Sequence, residues 1–225
     1  QQYHGVVRCA LGWACWKTHV GRPEDDWALI NAMTELGGGL YGAKSFADAL
    51  TVREAELAMA RRLGHSAGNI LCVQGNLAIT YEMMGQLDRA QQMKRDVYSG
   101  YLDLSGEEDE LTLVAASNLA SLLKRLNHFE EAKSLLRKTV PVARRVLGES
   151  RELTLRMRMN YAGALYRDAD ATLDDLREAV ETLAETDRIA RRVLGGAHPL
   201  TKFLQNDLRN ARAALAARDT PPTSK

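Results

Sequence analysis

Four short stretches of the sequence decide the fold, because each ends an apolar run with a glycine and a polar link. They read ARRLGHSAGN (60–69), LDLSGEEDEL (102–111), ARRVLGESREL (143–153) and ARRVLGGAHPL (190–200). The intervals between their glycines are 42, 42 and 47 residues, measured at Gly64, Gly106, Gly148 and Gly195. A nearly fixed period of this length indicates a repeat architecture.

The register set by these glycines also holds inside the units. An asparagine follows each of the first three glycines by twelve residues, at Asn76, Asn118 and Asn160. The last interval is longer than the other two, and its extra residues fall in the turn 168–172. The chain therefore repeats one unit, with a single insertion.

Each unit contains two amphipathic stretches. Apolar residues recur at i, i+3, i+4 and i+7, for example at Leu119, Leu122, Leu123 and Leu126, which is the period of a helix with one buried face. The predicted helices span 4–20, 26–43, 46–63, 67–84, 87–104, 108–126, 129–147, 150–167, 173–194 and 198–217. The predicted fold class is all-α, a right-handed α-solenoid of stacked antiparallel helix pairs.

We expect about four repeats between a truncated leading helix and a capping helix. Residues 1–20 are predicted to form the second helix of the leading repeat, residues 21–218 the solenoid, and residues 219–225 a polar tail. The units are predicted at about 22–64, 65–106, 107–148 and 149–195, with the capping helix at 198–217. A cap with a polar outer face is what the end of a stack of repeats requires.

The composition excludes several functional classes. Of the 225 residues, 45% are hydrophobic, 26% charged and only 6% aromatic, which is typical of helical globular proteins. The formal net charge of +1 gives no global field that would attract nucleic acid. No apolar run approaches the roughly 20 residues that a membrane-spanning helix needs. We therefore expect neither a nucleic-acid partner nor a membrane span.

The cysteines indicate a reducing compartment. Cys9, Cys15 and Cys72 are odd in number and contain no CxxC pair, which argues against a disulfide framework and a zinc site. They are predicted to be small core residues. The expected localisation is the cytoplasm, with an organelle as the alternative if a targeting segment was removed before Gln1.

Together these features resemble the tetratricopeptide repeat, in the 42-residue form found in kinesin light chains. The matching strings are Asn-Leu-Ala at 76–78 and 118–120, Asn-Tyr-Ala at 160–162, and Arg-Arg-Val-Leu-Gly at 144–148 and 191–195. The resemblance covers nearly the whole chain. The first unit departs from the pattern, because residues 37–39 are three glycines. We expect that a neighbouring backbone packs closely against them, and the alternative is a locally loosened helix.

The resemblance implies a non-catalytic scaffold that binds an extended peptide of a partner protein in a concave groove. It also implies that Asn76, Asn118 and Asn160 contact the peptide backbone, a role that suits a carboxamide because it both donates and accepts hydrogen bonds. Residues on the adjacent helix turns would pair with an acidic segment or hold an apolar anchor. These residues are Met83, Lys124, Arg125, Arg156, Tyr166 and Arg167, together with Tyr41.

Two of these interpretations have alternatives. The asparagines could instead bond to a neighbouring helix and only fix the stack. The whole chain could instead be a structural or linker subunit of a larger complex, held through its outer helix faces and ends. Trp13 and Trp16 would then form a second contact, as would Phe203-Leu204 at the other end. Self-association through the leading helix is a third option.

The sequence contains no recognisable catalytic or metal-binding motif. The five histidines lie in different units without the i, i+4 spacing of a metal site. No GxSxG or phosphate-binding glycine loop occurs. Paired acids such as Asp174-Asp175 lie where helices begin and favour the positive end of the helix dipole. We therefore expect no enzymatic activity, no metal and no cofactor.

Overall fold

A computed structural model of the chain describes residues 27–219, and within that range every regular element is an α-helix. The helices are α1 (Trp27–Gly42), α2 (Phe46–Arg62), α3 (Ala67–Met83), α4 (Leu87–Ser105), α5 (Glu110–Arg125), α6 (Phe129–Leu147), α7 (Glu152–Tyr166), α8 (Leu173–Leu194) and α9 (Pro199–Asp219). The predicted leading helix, with Cys9, Cys15, Trp13 and Trp16, lies outside the described residues, as does most of the predicted tail. The all-α helical-repeat fold predicted from the sequence is confirmed.

The link glycines of the repeat end helices by adopting positive φ angles. Gly148 follows α6 with a φ of 88°, and Gly195 follows α8 with a φ of 83°. A Cβ added at either glycine would meet no atom within 4 Å. The glycines are therefore required for their backbone conformation and not for space, since side-chain-bearing residues rarely adopt this region.

Polar side chains fix where several helices begin. The Asp109 carboxylate accepts hydrogen bonds from the backbone N–H groups of Leu111 and Thr112 at the start of α5. Thr172 and Asp175 form a reciprocal capping box at the start of α8. Such caps satisfy backbone donors that have no partner inside the helix.

The chain divides between Leu104 and Ser105 into two compact units. In the first unit, small residues permit close helix contacts, and Ala49, Ala60, Ala78 and Ala90 are fully buried. A Cβ at Gly100 of α4 would lie 2.5 Å from the Leu71 side chain of α3. Gly100 is therefore a position where a larger residue would overpack the α3–α4 contact.

The second unit contains two clusters of buried apolar side chains. One joins α5, α6 and α7 through Leu113, Ala120, Leu136, Ala143 and Met157. The other joins α7, α8 and α9 through Leu155, Ala162, Ala179, Leu183 and Leu204. Ala120 and Ala162, the alanines of the repeat strings, are completely buried. The repeat period therefore reflects the packing of each helix pair.

The five-residue insertion forms an ordered turn between α7 and α8. The Asp168 carboxylate accepts a hydrogen bond from the backbone of Asp170 and pairs with Lys133 of α6 at 3.0 Å. The Arg218 guanidinium of α9 donates hydrogen bonds to the carbonyl oxygens of Ala169 and Ala171 at 2.7 and 2.9 Å. Helices α6 and α9 therefore hold the inserted turn from two sides.

Two local expectations need correction. Cys72, predicted to be a small core residue, is exposed, because it lies on the side of α3 opposite the buried Leu77 and Tyr81. The glycine run in α1 does not loosen the helix, which continues to Gly42. At Gly37 the close neighbour is the Arg53 side chain, 3.1 Å from an added Cβ, and not a backbone.

Candidate functional site

The first helices of the repeats lie side by side in the second unit. Helix α7 contacts α5 on one side and α9 on the other. Of the predicted site residues on or next to the helices of this α5–α7–α9 layer, four are brought together: Lys124, Asn160, Tyr166 and, just past the end of α7, Arg167.

Lys124 and Asn160 form a direct link between α5 and α7. The Lys124 ammonium donates a hydrogen bond of 2.8 Å to Oδ1 of Asn160, and Asn160 is only 3% exposed. Gly163, one turn further along α7, leaves room for the lysine, because a Cβ there would lie 3.0 Å from Lys124 Cδ. At this position the carboxamide contacts a neighbouring helix, as the alternative reading of the asparagines proposed.

A second polar group joins α7 to α9. The Tyr166 hydroxyl donates to Oδ1 of Asp207 at 2.9 Å, and the Arg167 guanidinium donates to the same oxygen at 2.8 Å. The Arg167 guanidinium also lies over the Tyr166 ring, 5.4 Å from its centre. The buried Asp207 carboxylate therefore holds the Tyr166 and Arg167 side chains in place at the end of α7.

The electrostatics of the two groups are coupled. Burial is the main cause that lowers the pKa of Lys124, the positive charge of Arg167 acts in the same direction, Asp207 opposes both, and the resulting pKa is about 8. Burial also raises the pKa of the Tyr166 hydroxyl. Among the described residues, no carboxylate lies within ion-pair distance of Lys124. The layer therefore presents a half-buried ammonium whose hydrogen-bond partner is neutral.

The remaining predicted site residues are not gathered into this group. Arg156 pairs with Glu152 on the surface of α7, Arg125 is exposed, and Asn118 is half-buried on α5. Met83, 47% exposed, and Asn76 belong to α3 of the first unit. The peptide-binding roles of all these residues remain predictions.

Asp207 and Gly163 are part of this site but were not among the predicted site residues. Asp207 falls within the apolar stripe of α9, between the buried Leu204 and Ala211. An acidic residue on a buried helix face needs a hydrogen-bond or ion-pair partner, so the sequence pattern alone could have indicated that Asp207 has one. Gly163 carried no such signal, because only the neighbouring helix shows what its missing side chain accommodates.

The chain matches the Tetratricopeptide repeat family over residues 71–145. These residues include all of α4 and α5 and most of α3 and α6. Residues 71–145 therefore contain tetratricopeptide repeats. The match covers a third of the chain, and the same helix-pair pattern continues through α7 and α8 beyond it.

Solved structures extend the likeness of fold over most of the chain. Repeats of a putative kinesin light chain from Podosopora anserina share 22% identity with a TM-score of 0.71, covering 84% of this chain and 87% of theirs. BtubC (BKLC) from P. vanneervenii shares 15% identity with a TM-score of 0.64, covering 99% of this chain and 94% of its own. The predicted resemblance to kinesin light chain-like repeats is confirmed.

A third similar structure is a Rap protein complexed with Competence and Sporulation Factor. It shares 14% identity with a TM-score of 0.63, covering 96% of this chain and 62% of its own. A comparison with curated proteins finds no match. These identities show a shared fold and do not by themselves transfer a ligand.

Two searches of the described residues bear on other functional classes. No three histidine, cysteine, aspartate or glutamate side chains within residues 27–219 are grouped as metal ligands. In the same range, no helix is both long and apolar enough to cross a membrane. Tetratricopeptide repeats are generally a non-catalytic fold that binds other proteins.

Proposed function

We propose that the α5–α7–α9 layer binds an extended segment of a partner protein, and that Lys124 receives an acidic side chain of that segment. The observation that supports this is the half-buried Lys124 ammonium bonded to a neutral amide. A carboxylate placed beside it would supply the missing counter-charge in a partly desolvated site, where charge-assisted hydrogen bonds are strong.

The repeats themselves support the broader part of this proposal. Tetratricopeptide repeats make the chain a protein-interaction module, and a Rap protein of similar fold has been solved with a sporulation factor bound. Stacked helix pairs expose a row of first helices that suits an extended ligand. Asn160 would act here by holding Lys124 in position, whereas the charge of Arg167 is paired with Asp207.

A second lysine of the same unit serves as an internal comparison. Lys133 is as buried as a core residue, yet its ammonium pairs with the carboxylates of Glu130 and Asp168. Its charge is therefore neutralised within the fold, and it is explained by structure alone. Lys124 lacks such neutralisation, which is why we assign the binding role to it.

An array of immobilised nonamer peptides, systematically varied in sequence and probed with the full chain, tests this proposal. We expect bound peptides to be enriched in Asp and Glu, and the enrichment to disappear in Lys124→Met. Lys138→Met, which removes an exposed lysine from α6, is the matched control and should behave as the wild type. The proposal fails if no peptide binds, or if the acidic enrichment survives in Lys124→Met.

One exposed residue favours the alternative of a permanent structural subunit. Phe203 of α9 is 63% exposed while the adjacent Leu204 is fully buried, and large exposed aromatics are typical of protein interfaces. In that case, affinity capture from the source cell would retain partners in Lys124→Met and lose them in Phe203→Ser. Loss in Lys124→Met with retention in Phe203→Ser would instead favour peptide binding.

A further inference from the structure

The first unit contains a cavity that the proposed peptide site in the second unit does not use. It has a volume of about 360 Å³ and lies among α1, α2 and α3. Its walls combine apolar side chains, Ile30, Ala60 and Val73, with the amide side chains of Asn31, Asn69 and Asn76. Its lining is therefore partly apolar and partly polar.

The cavity contains a buried carboxylate. Glu56 of α2 lines it and is only 1% exposed, and its hydrogen-bond partner is the Thr34 hydroxyl of α1. A charged group removed from water to this degree is costly unless an opposite charge or several hydrogen bonds compensate it. Burial raises the pKa of Glu56, while the Thr34 hydrogen bond and the charge of Arg53 lower it.

Arg53, whose charge acts on Glu56, is not among the residues that line this cavity. The Arg53 guanidinium donates a hydrogen bond of 2.6 Å to the Asn76 carbonyl oxygen, contacts the Thr80 hydroxyl and lies over the Tyr41 ring. Among the described residues that line the cavity there is no lysine or arginine. His65 is the one titratable nitrogen base in the described lining. The cavity thus has an anionic wall and space for a cationic group that no lysine or arginine among the described lining residues supplies.

We propose that this cavity receives a lysine or arginine side chain of the partner segment, with its cationic head at Glu56. The aliphatic stem of such a side chain would pack against Ile30 and Val73, as long basic side chains commonly do on apolar surfaces. Asn69 and Asn76 would accept the remaining hydrogen bonds of the head. This inference rests on the proposed function, because it assigns a basic residue to a bound protein segment.

Cys72 lines the same cavity and allows a direct test of its charge preference. Methanethiosulfonate reagents transfer an alkylthio group to the thiolate and release methanesulfinate, so 2-aminoethyl and 2-hydroxyethyl reagents deliver a cation and a neutral group to one position. Rates at Cys72 are followed by mass spectrometry of its peptide and normalised to those of the unfolded chain. In the wild type we expect the cationic 2-aminoethyl reagent to react at Cys72 about fivefold or more faster than the neutral 2-hydroxyethyl reagent. The reason is that the Glu56 charge would raise the local concentration of cations.

Three variants make this result interpretable. Glu56→Gln keeps the side-chain shape and should abolish the preference, whereas Glu54→Gln removes an exposed carboxylate of the same helix and should preserve it. Asn31→Lys places a cation at an exposed cavity residue and should also abolish the preference without altering the buried carboxylate. Circular dichroism confirms that each variant is folded. Equal rates in the wild type, or a preference that survives in Glu56→Gln, would overturn the proposal.

The peptide array then identifies the source of the cation. Enrichment of Lys or Arg among bound nonamers, lost in Glu56→Gln while acidic enrichment persists, supports a basic side chain of the partner segment. Bound peptides without basic enrichment overturn this inference and leave the proposed function standing. An array without any bound peptide contradicts the proposed function, and with it the peptide as occupant, even if Cys72 shows the cation preference.

Discussion

The two lysine regions of the second unit differ in how their buried charge is neutralised. Burial alone would lower the pKa of Lys133, but the hydrogen bonds that its ammonium donates to the Glu130 and Asp168 carboxylates raise it. Burial and the nearby positive charge of Arg167 lower the pKa of Lys124 to about 8 although Asp207 opposes them, and the hydrogen-bond partner of Lys124, Asn160, is neutral. Burial of a charged side chain therefore does not by itself indicate a binding site, and our proposal rests on burial without an ion-pair partner.

The first unit shows the same feature with the opposite sign. Glu56 is a buried carboxylate in a cavity whose described lining contains no lysine or arginine, as Lys124 is a half-buried ammonium bonded to a neutral amide. The repeats thus place incompletely neutralised charges of both signs on one chain.

The largest expected effect follows from removing the neutralised lysine. Lys133→Met leaves the Asp168 carboxylate without its cation, and loss of one partner of a buried pair costs about 3 kcal/mol. Urea unfolding at pH 7 measures the free energy of unfolding, with Lys138→Met as the exposed control. A loss no larger than that of the control would show that the Lys133–Asp168 pair does not stabilise the inserted turn.

The pH dependence of stability separates the two lysines. The folded pKa of Lys124, about 8, lies below its unfolded value of about 10.4, so folding disfavours the charged form and stability rises as pH increases above 8. Between pH 7 and pH 9.5 the free energy of unfolding should rise by about 1–2 kcal/mol more in the wild type than in Lys124→Met.

Lys133 provides the matched comparison for this experiment. Its folded pKa is raised, so its stabilising contribution is fully present below the unfolded pKa and is lost only at higher pH. Lys133→Met should therefore show the same rise in the free energy of unfolding between pH 7 and pH 9.5 as the wild type. If Lys124→Met shows the full wild-type rise and Lys133→Met does not, then Lys133 and not Lys124 is the lysine with the lowered pKa, which contradicts our assignment.

The smallest expected effect concerns Glu56. Its raised pKa means that folding disfavours the carboxylate, so the penalty is absent at low pH and appears as pH rises through the unfolded and folded pKa values. Glu56→Gln should match the wild type at pH 4 and be slightly more stable at pH 7, by less than about 1 kcal/mol because Arg53 offsets part of the penalty. Thermal unfolding at the two pH values measures this, and a lower midpoint at pH 7 would mean that Glu56 is neutralised within the fold.

The helices were predictable because local rules determine them. The link glycines need positive φ angles at Gly148 and Gly195, and the apolar period fixes which face each helix buries, so both features can be read from single segments. The handedness of the solenoid, in contrast, depends on how successive repeats stack and stays a prediction.

The candidate site was only partly predictable, since it depends on contacts between helices. Helical spacing placed Asn160 and Lys124 on first helices but could not show that they bond to each other across 36 positions of sequence. Asp207 and Glu56 were visible as charged residues within apolar stripes. Whether each of these carboxylates has a partner within the fold depends on the neighbouring helix, which the sequence alone does not show.

The central claim is that Lys124 lacks a counter-charge until a partner supplies one. Nuclear magnetic resonance of the lysine side chains measures the pKa of Lys124 directly, alone and saturated with an acidic nonamer selected on the array. We predict that the pKa rises from about 8 towards 10.5 on binding, and that a peptide with Gln in place of its acidic residues leaves it near 8. A pKa that stays at about 8 with the acidic peptide bound would contradict the account.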